Sequence, residues 1–303
     1  MTFKNNFYLV KKHNKPNLAK IQNLKYLGYD EGSKLLIIHA DDLGLSNSTN
    51  DACVDLLKKG FINSASLMVT CPWFPQIAQF ARTNKDIFDF GVHLTLTSEW
   101  KYYKWGPVSS INEVPTLVDD HGFFFSDVNS VRKQGNVSEV ELELRNQVKR
   151  ALDFGIKITH LDAHMHVTKI SSEFAQIYHK IGRDYNLPVL FSHYDKDINT
   201  ENFFTVDYLY QASPMDYEKG LDKYYLEVLK NLPSGLSCLL IHPAFDNEET
   251  QAITVGHLNW GSRWRQMDYD FFSSMDYREI IEETGIKFIT WRDIQDKIIL
   301  SDG

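Results

Sequence analysis

Cysteine is scarce in this chain. Cys53, Cys71 and Cys238 are an odd number with no Cys-x-x-Cys spacing, which argues against a disulfide framework or a zinc-thiolate cluster and leaves buried structural thiols. Positive charge is also short, with 32 Lys and Arg against 40 Asp and Glu and a net charge of -8. A nucleic acid or an anionic membrane would demand a basic surface, so a small neutral substrate is the more natural partner. No apolar run reaches the roughly 18 residues of a membrane span. The start, Met1-Thr2-Phe3-Lys4, lacks the charged, apolar and small-residue zones of a signal peptide, so a cytoplasmic location is expected. No Gly-x-Gly-x-x-Gly and no Gly-x4-Gly-Lys-Ser/Thr follows a strand pattern, which removes support for nucleotide-binding sheets. Internal repeats and low-complexity tracts are absent too.

What is present is enough apolar sequence, 43% of 303 residues, to bury one barrel-sized core or two modest ones. Residues 1–33 are polar and turn-rich, with one short helical stretch at 17–27, and are expected to form an N-terminal arm. From Lys34 short apolar runs alternate with amphipathic segments, the pattern of β/α units on a parallel sheet. Strands are expected at 34–40, 65–70, 91–96, 158–163, 189–192, 205–209, 238–242 and 287–290. Helices are expected at 50–59, 75–83, 138–154, 171–185, 217–231 and 269–283. Seven or eight such strands predict an α/β fold of the TIM-like (β/α)-barrel type over 34–303, with a doubly wound open sheet as the alternative.

The connection 98–137 is long and aromatic, with Trp100, Tyr102, Tyr103, Trp105 and Phe123-Phe124-Phe125. Connections of this length are commonly functional. It is read as an insertion or lid at the barrel mouth, with Trp100 and Trp105 as candidate substrate-facing aromatics; an insertion packed on its own aromatics is the plainer reading.

Four segments carry chemistry. The run Leu35-Leu36-Ile37-Ile38 ends in His39-Ala40-Asp41-Asp42-Leu43-Gly44. Two carboxylates at the C-terminal end of a buried strand are costly to desolvate unless a cation or strong donors meet them. Phe90-Gly91-Val92-His93-Leu94 places a histidine in an apolar run, a pattern more often structural than metal-binding when it stands alone. In Thr159-His160-Leu161-Asp162-Ala163-His164-Met165-His166, strand alternation would put three imidazoles and Asp162 on one face, a poor core but a good metal site with a carboxylate behind it. Leu239-Leu240-Ile241-His242-Pro243 ends a further apolar run in histidine. Three strand ends delivering histidine and a fourth delivering two aspartates are what one centre on a barrel face requires.

These segments, together with Gly91-Val92-His93-Leu94-Thr95-Leu96-Thr97 and His242-Pro243-Ala244-Phe245, resemble the YdjC-like carbohydrate deacetylases, a family related to the polysaccharide deacetylases. The likeness runs from about Leu35 to Trp291-Arg292-Asp293. It implies a (β/α) barrel and removal of N-acetyl groups from amino sugars or chitin-type oligosaccharides. It also implies one divalent ion, usually magnesium and in the wider group often zinc, on Asp42, His93 and His164. Asp41 matches the catalytic base and His242 the acid that protonates the leaving amine. Asp162 and His166 fall beside the ligands as supporting or substrate-facing groups. Two positions depart from the family: His39 stands where a small or amide residue is usual, and Val189-Leu190-Phe191-Ser192 lacks an expected arginine. A homodimer fits the resemblance, although no interface signal is readable.

The donor mixture of one carboxylate and two imidazoles suits Zn, Mn, Co or Ni as well as Mg. Strict alternation would send Asp41 and Asp42 to opposite faces, so these roles need the chain to bend at Asp42, with Gly44 nearby to permit it. Two other functions compete. A metal-dependent phosphoesterase or amidase would want a basic cluster near the motifs for a phosphate, and none is seen. A sugar-binding protein with a structural ion would close the coordination shell, whereas three ligands with spare acid/base groups leave it open.

Overall fold

Leu35 to Leu43 is buried without alternation, as a parallel strand covered on both faces must be. The computed structural model describes residues 18–192, 195 and 204–299. Its strands are β1 Lys34–Leu43, β2 Ser64–Leu67, β3 Phe90–Leu94, β4 Ile158–Ala163, β5 Tyr208–Gln211, β6 Gly235–Ile241 and β7 Lys287–Phe288. They pair in parallel in the order β4-β3-β2-β1-β6-β5, and β7 joins the first residues of β1. This is the expected α/β architecture, with helices between strands.

Between the outer strands β4 and β5 lies the segment 188–192. Leu161 N–H donates to Pro188 O at 2.9 Å, Leu190 N–H to Leu161 O at 2.9 Å, and Val206 N–H to Phe191 O at 2.8 Å. Isolated bridges therefore span the gap that a continuous ladder would close in a regular barrel. The interior confirms the curvature: Leu35 and Ile37 of β1 share a buried cluster with Leu190, Val206, Leu236, Cys238, Leu240 and Trp291. Above that apolar layer, His39, Ser64, Ser66, His160 and Asp162 form a buried polar layer.

Most expected elements appear with shifted ends. The strand expected at 189–192 is reduced to bridges, and that expected at 205–209 begins at Tyr208. The helix expected at 217–231 is two, Pro214–Lys219 and Leu221–Lys230, broken at Gly220 with φ 107°. The helix expected at 269–283 is also two, Ser262–Phe272 and Met275–Thr284, separated by the Ser274 cap. Glu248–Ile253 was not anticipated. Of the arm, the helix Leu18–Leu27 packs Leu24 and Leu27 against the interior apolar cluster. All three cysteines are free and buried. Among the described residues no helix is long and apolar enough to cross a membrane.

Candidate metal centre

The chain turns at Asp42 itself. Asp42 has φ 66°, a left-handed conformation that Asp tolerates better than most side chains. The pairing of β1 with β2 slips there, Ala40 facing Ala65 and Leu43 facing Leu67. One extra residue on β1 is a bulge, and bulges re-aim side chains. It brings both carboxylates to the same centre. Gly44 follows at φ 96°, where a Cβ would crowd Met68 O and Phe74 Cα.

Three atoms that could hold a metal ion converge. Asp42 Oδ1 lies 3.1 Å from His164 Nδ1 and 3.4 Å from His93 Nε2, and the two imidazole nitrogens are 3.3 Å apart. Donors about 2.1 Å from one cation stand about 3.0 Å apart in an octahedron and about 3.4 Å apart in a tetrahedron. Despite these neighbours, buried Asp42 Oδ1 makes no hydrogen bond, which fits a lone pair directed at a cation. Each imidazole is held from behind by a carboxylate. His93 Nδ1–H donates to Asp162 Oδ2 at 2.7 Å, and His164 Nε2–H donates to Glu99 Oε2 at 2.9 Å. Such carboxylate–histidine pairs fix the tautomer that leaves the other nitrogen free for metal. Against the cost of burial, Asp162 and the paired aspartates push His93 well above the ordinary imidazole range, and Glu99 and Asp42 push His164 to about 9. A cation would neutralise that same negative field.

Asp42 is buried, which by itself would raise its carboxyl. Arg265, with His164 and His93, instead holds it well below the carboxylate range. Arg265 Nη2 donates to Asp42 Oδ2 at 2.7 Å, leaving Oδ1 as the free oxygen. One turn later on the same helix, Asp268 accepts from His242 N–H at 2.9 Å and from the Tyr225 hydroxyl at 2.7 Å.

Asp41 sits beside this triad. Its Oδ2 is 3.5 Å from His242 Nε2, and its Oδ1 is 3.1 Å from His39 Nε2. Burial pushes His242 down to about 4, so its ring is uncharged at neutral pH. His39 is raised to about 9: burial opposes its charge, but Asp162 and Asp41 outweigh it.

The alternation expected along 160–166 stops at Ala163. Asp162 points inward and His164 reaches the centre from a turn, but Met165 and His166 adopt φ 50° and 54°, and His166 leaves that face to bond Gln211 Oε1 at 3.1 Å. His160 lies deeper, stacked on Trp291 and in edge contact with His39; a Cβ on Gly91 would collide with its ring. Trp100 and Trp105, expected as candidate substrate-facing aromatics, lie mostly within the wall. They are 2% and 3% exposed: Trp105 packs near His164, and Trp100 lies beneath the Arg265 guanidinium. Tyr102, 73% exposed, is the most open aromatic of that segment, and Phe123 at 37% is the next.

Sequence reasoning missed Glu99, Arg265 and Asp268. Each lies far along the chain from the group it serves, with no spacing signal to link them. The repeated basic and aromatic run Arg263-Trp264-Arg265 was the nearest hint.

Residues 35–283 match the YdjC-like protein family. The chain is 30% identical to a carbohydrate deacetylase of Thermoanaerobacter pseudethanolicus, over 84% of this chain and 96% of that one. It is 28% identical to a carbohydrate deacetylase of Thermus thermophilus, over 88% and 96% respectively. Among solved structures, a protein of Enterococcus faecalis V583 named for cellobiose-phosphate cleavage matches with TM-score 0.73 at 25% identity, covering 86% of this chain and 99% of that one.

Proposed function

Because the chain belongs to the YdjC-like protein family, we propose that it is a metal-dependent carbohydrate deacetylase that hydrolyses the acetamide of N-acetylated amino sugars or chitin-type oligosaccharides. The observation that carries this reading is the unpaired Asp42 Oδ1 facing His93 Nε2 and His164 Nδ1, beside the Asp41 and His242 pair. The curated relatives named carbohydrate deacetylase support the substrate class. Asp42, His93 and His164 would hold one divalent ion, magnesium by family resemblance, with zinc or another transition metal suited to the same donors. When bound, such an ion lowers the pKa of water and polarises a carbonyl oxygen.

Asp41 takes the proton of the attacking water. His242, uncharged at rest, protonates the leaving amine with a proton passed from Asp41 across the 3.5 Å between them. The water's proton thus ends on the amine and its oxygen on acetate. Glu99 and Asp162 keep the two imidazoles in register, and Arg265 keeps Asp42 from turning both oxygens to one side. The segment 98–137 acts as the lid of the site, with Glu99 as its contact to the ligands and Tyr102 as its open ring. We place the enzyme in the cytoplasm, acting on a small carbohydrate.

The test is acetate release from N-acetylglucosamine oligosaccharides before and after chelation, with metal content measured for the wild type and for His93→Ala and His164→Ala. Release abolished by chelator and restored by a divalent ion is expected, with metal lost from both variants. Equal metal content in all three proteins would sink the ligand set.

A further inference from the structure

His39 has no part in the chemistry above, yet it is buried with both ring nitrogens engaged. Its Nδ1 lies 2.7 Å from Ser64 Oγ. Its Nε2 lies 3.1 Å from Ser66 Oγ and 3.1 Å from Asp162 Oδ2, both hydrogen-bonded, and 3.1 Å from Asp41 Oδ1 off the bond axis. Carboxylates only accept, so Nε2 carries a hydrogen. The ring is faced by Asp41 from its own strand, Ser64 and Ser66 from β2, and Asp162 and His160 from β4. Asp41 and Asp162 are like charges, and among the described residues His39 is the donor that touches both.

We infer that His39 is a positioning residue for Asp41: its ring, anchored by Ser64 and Asp162, sets the Nε2–H edge 3.1 Å from Asp41 Oδ1, an electrostatic contact rather than a hydrogen bond, and so keeps Oδ2 toward His242. The inference rests on reading Asp41 as the base. The carboxylate stands just after Ala40 at a strand bulge, and its other contact is His242 at 3.5 Å. Without the His39 hydrogen its Oδ1 would face Asp162 uncompensated, and repulsion would rotate it out of line. A misplacement of about 1 Å can cost about 10²-fold in turnover. The ligand set is bypassed, because Asp162 still accepts from His93 at 2.7 Å and from Ser66 at 2.9 Å.

His39→Leu keeps the volume and removes the donor; His39→Gln returns an amide N–H near the place of Nε2. The expected result for His39→Leu is a kcat lower by roughly 30- to 100-fold with KM changed by less than about threefold. Its metal Kd, read on the apo protein by competition with a chromophoric chelator, stays within about threefold of wild type. His39→Gln is expected to recover most of the lost kcat. Crystal structures add a readout independent of turnover: Asp41 should be rotated in His39→Leu and return in His39→Gln. If the wild type releases no acetate, the proposed function fails while the Asp41 rotation still decides the role of His39. An unmoved Asp41, or a metal Kd that weakens in step with kcat, overturns the inference. So does a Gln variant no better than Leu. Should His39→Leu not fold, Ser64→Ala releases the ring from its other side and is expected to lower kcat in the same way by roughly three- to tenfold; an unchanged kcat there also overturns it.

Discussion

His242 is the residue whose role turns on a proton. Its ring is uncharged at neutral pH because burial pushes it to about 4, and Asp41 is the group positioned to charge it. Replacing it with alanine should lower turnover on acetamides by about 10²–10⁴-fold, the range for a lost general acid or base. Metal content should not change, since His242 is outside the converging trio. Activated acetyl esters, whose leaving groups need no proton, should be far less affected; steady-state kinetics on both substrates decide it, and equal losses would remove the acid role. Glu99 is a quieter case. Its carboxylate accepts from His164 Nε2–H at 2.9 Å, so Glu99→Gln should weaken metal binding by about 10- to 100-fold, measurable by calorimetry. At this scale the sequence exposed the histidines and aspartates because such groups are out of place in apolar runs. It hid Glu99, since a glutamate in a polar loop looks solvated until the fold sets it on an imidazole.

Two elements convert the strand ends into a centre. The first is the bulge on β1, which spends one extra residue to bring Asp41 and Asp42 to one side despite alternation. The second is the helix Ser262–Phe272, which offers Arg265 to Asp42 and Asp268 to the backbone of His242 from one face. Arg265 is 1% exposed, and breaking a buried pair by removing one partner costs about 3–5 kcal/mol. Arg265→Met should therefore melt much earlier than wild type when metal-free. A bound cation then takes over the charge on Asp42, so the rise in Tm on adding metal should be larger in the variant than in wild type. Equal rises, by differential scanning fluorimetry, would show that Arg265 does not balance Asp42. The sequence showed that strands and helices alternate, but the helix it placed at 269–283 begins after Arg265 and runs across the Ser274 cap, so it joined the last turn of Ser262–Phe272 to the next helix and left Arg265 outside both.

Across the whole molecule, buried carboxyls give stability a pH dependence that can be isolated. Burial raises Asp268 from 3.8 to about 7, so between those values the unfolded chain is ionised there while the folded chain still holds the proton. Fewer protons on the unfolded state mean that stability from this group falls as pH rises from about 4 to about 7, then levels off. Asp89, raised to about 6 by burial, adds a similar fall over a narrower window. Metal-free urea unfolding at intervals from pH 5 to 8 should show a shallower decline for Asp268→Asn than for wild type. Parallel curves would mean that Asp268 is already ionised in the folded protein.

The sequence by itself determined the α/β architecture and made the candidate donors stand out. A strand buried on both faces reads as an unbroken apolar run, so β1 and β6 were visible, and the polar residues that end them were conspicuous for the same reason. It could not determine the directions those donors take. Alternation predicted one face for His160, Asp162, His164 and His166, but the backbone leaves the strand after Ala163 and sends His166 to Gln211. Only the tertiary structure decided that Trp100 and Trp105 are packed in the wall, and that Glu99, His39 and Arg265 meet the centre from three separate parts of the chain. Polar residues that end apolar runs are a local property that the strand pattern reveals, whereas the charges that orient them act through space, and a linear chain keeps no record of spatial proximity until it is folded.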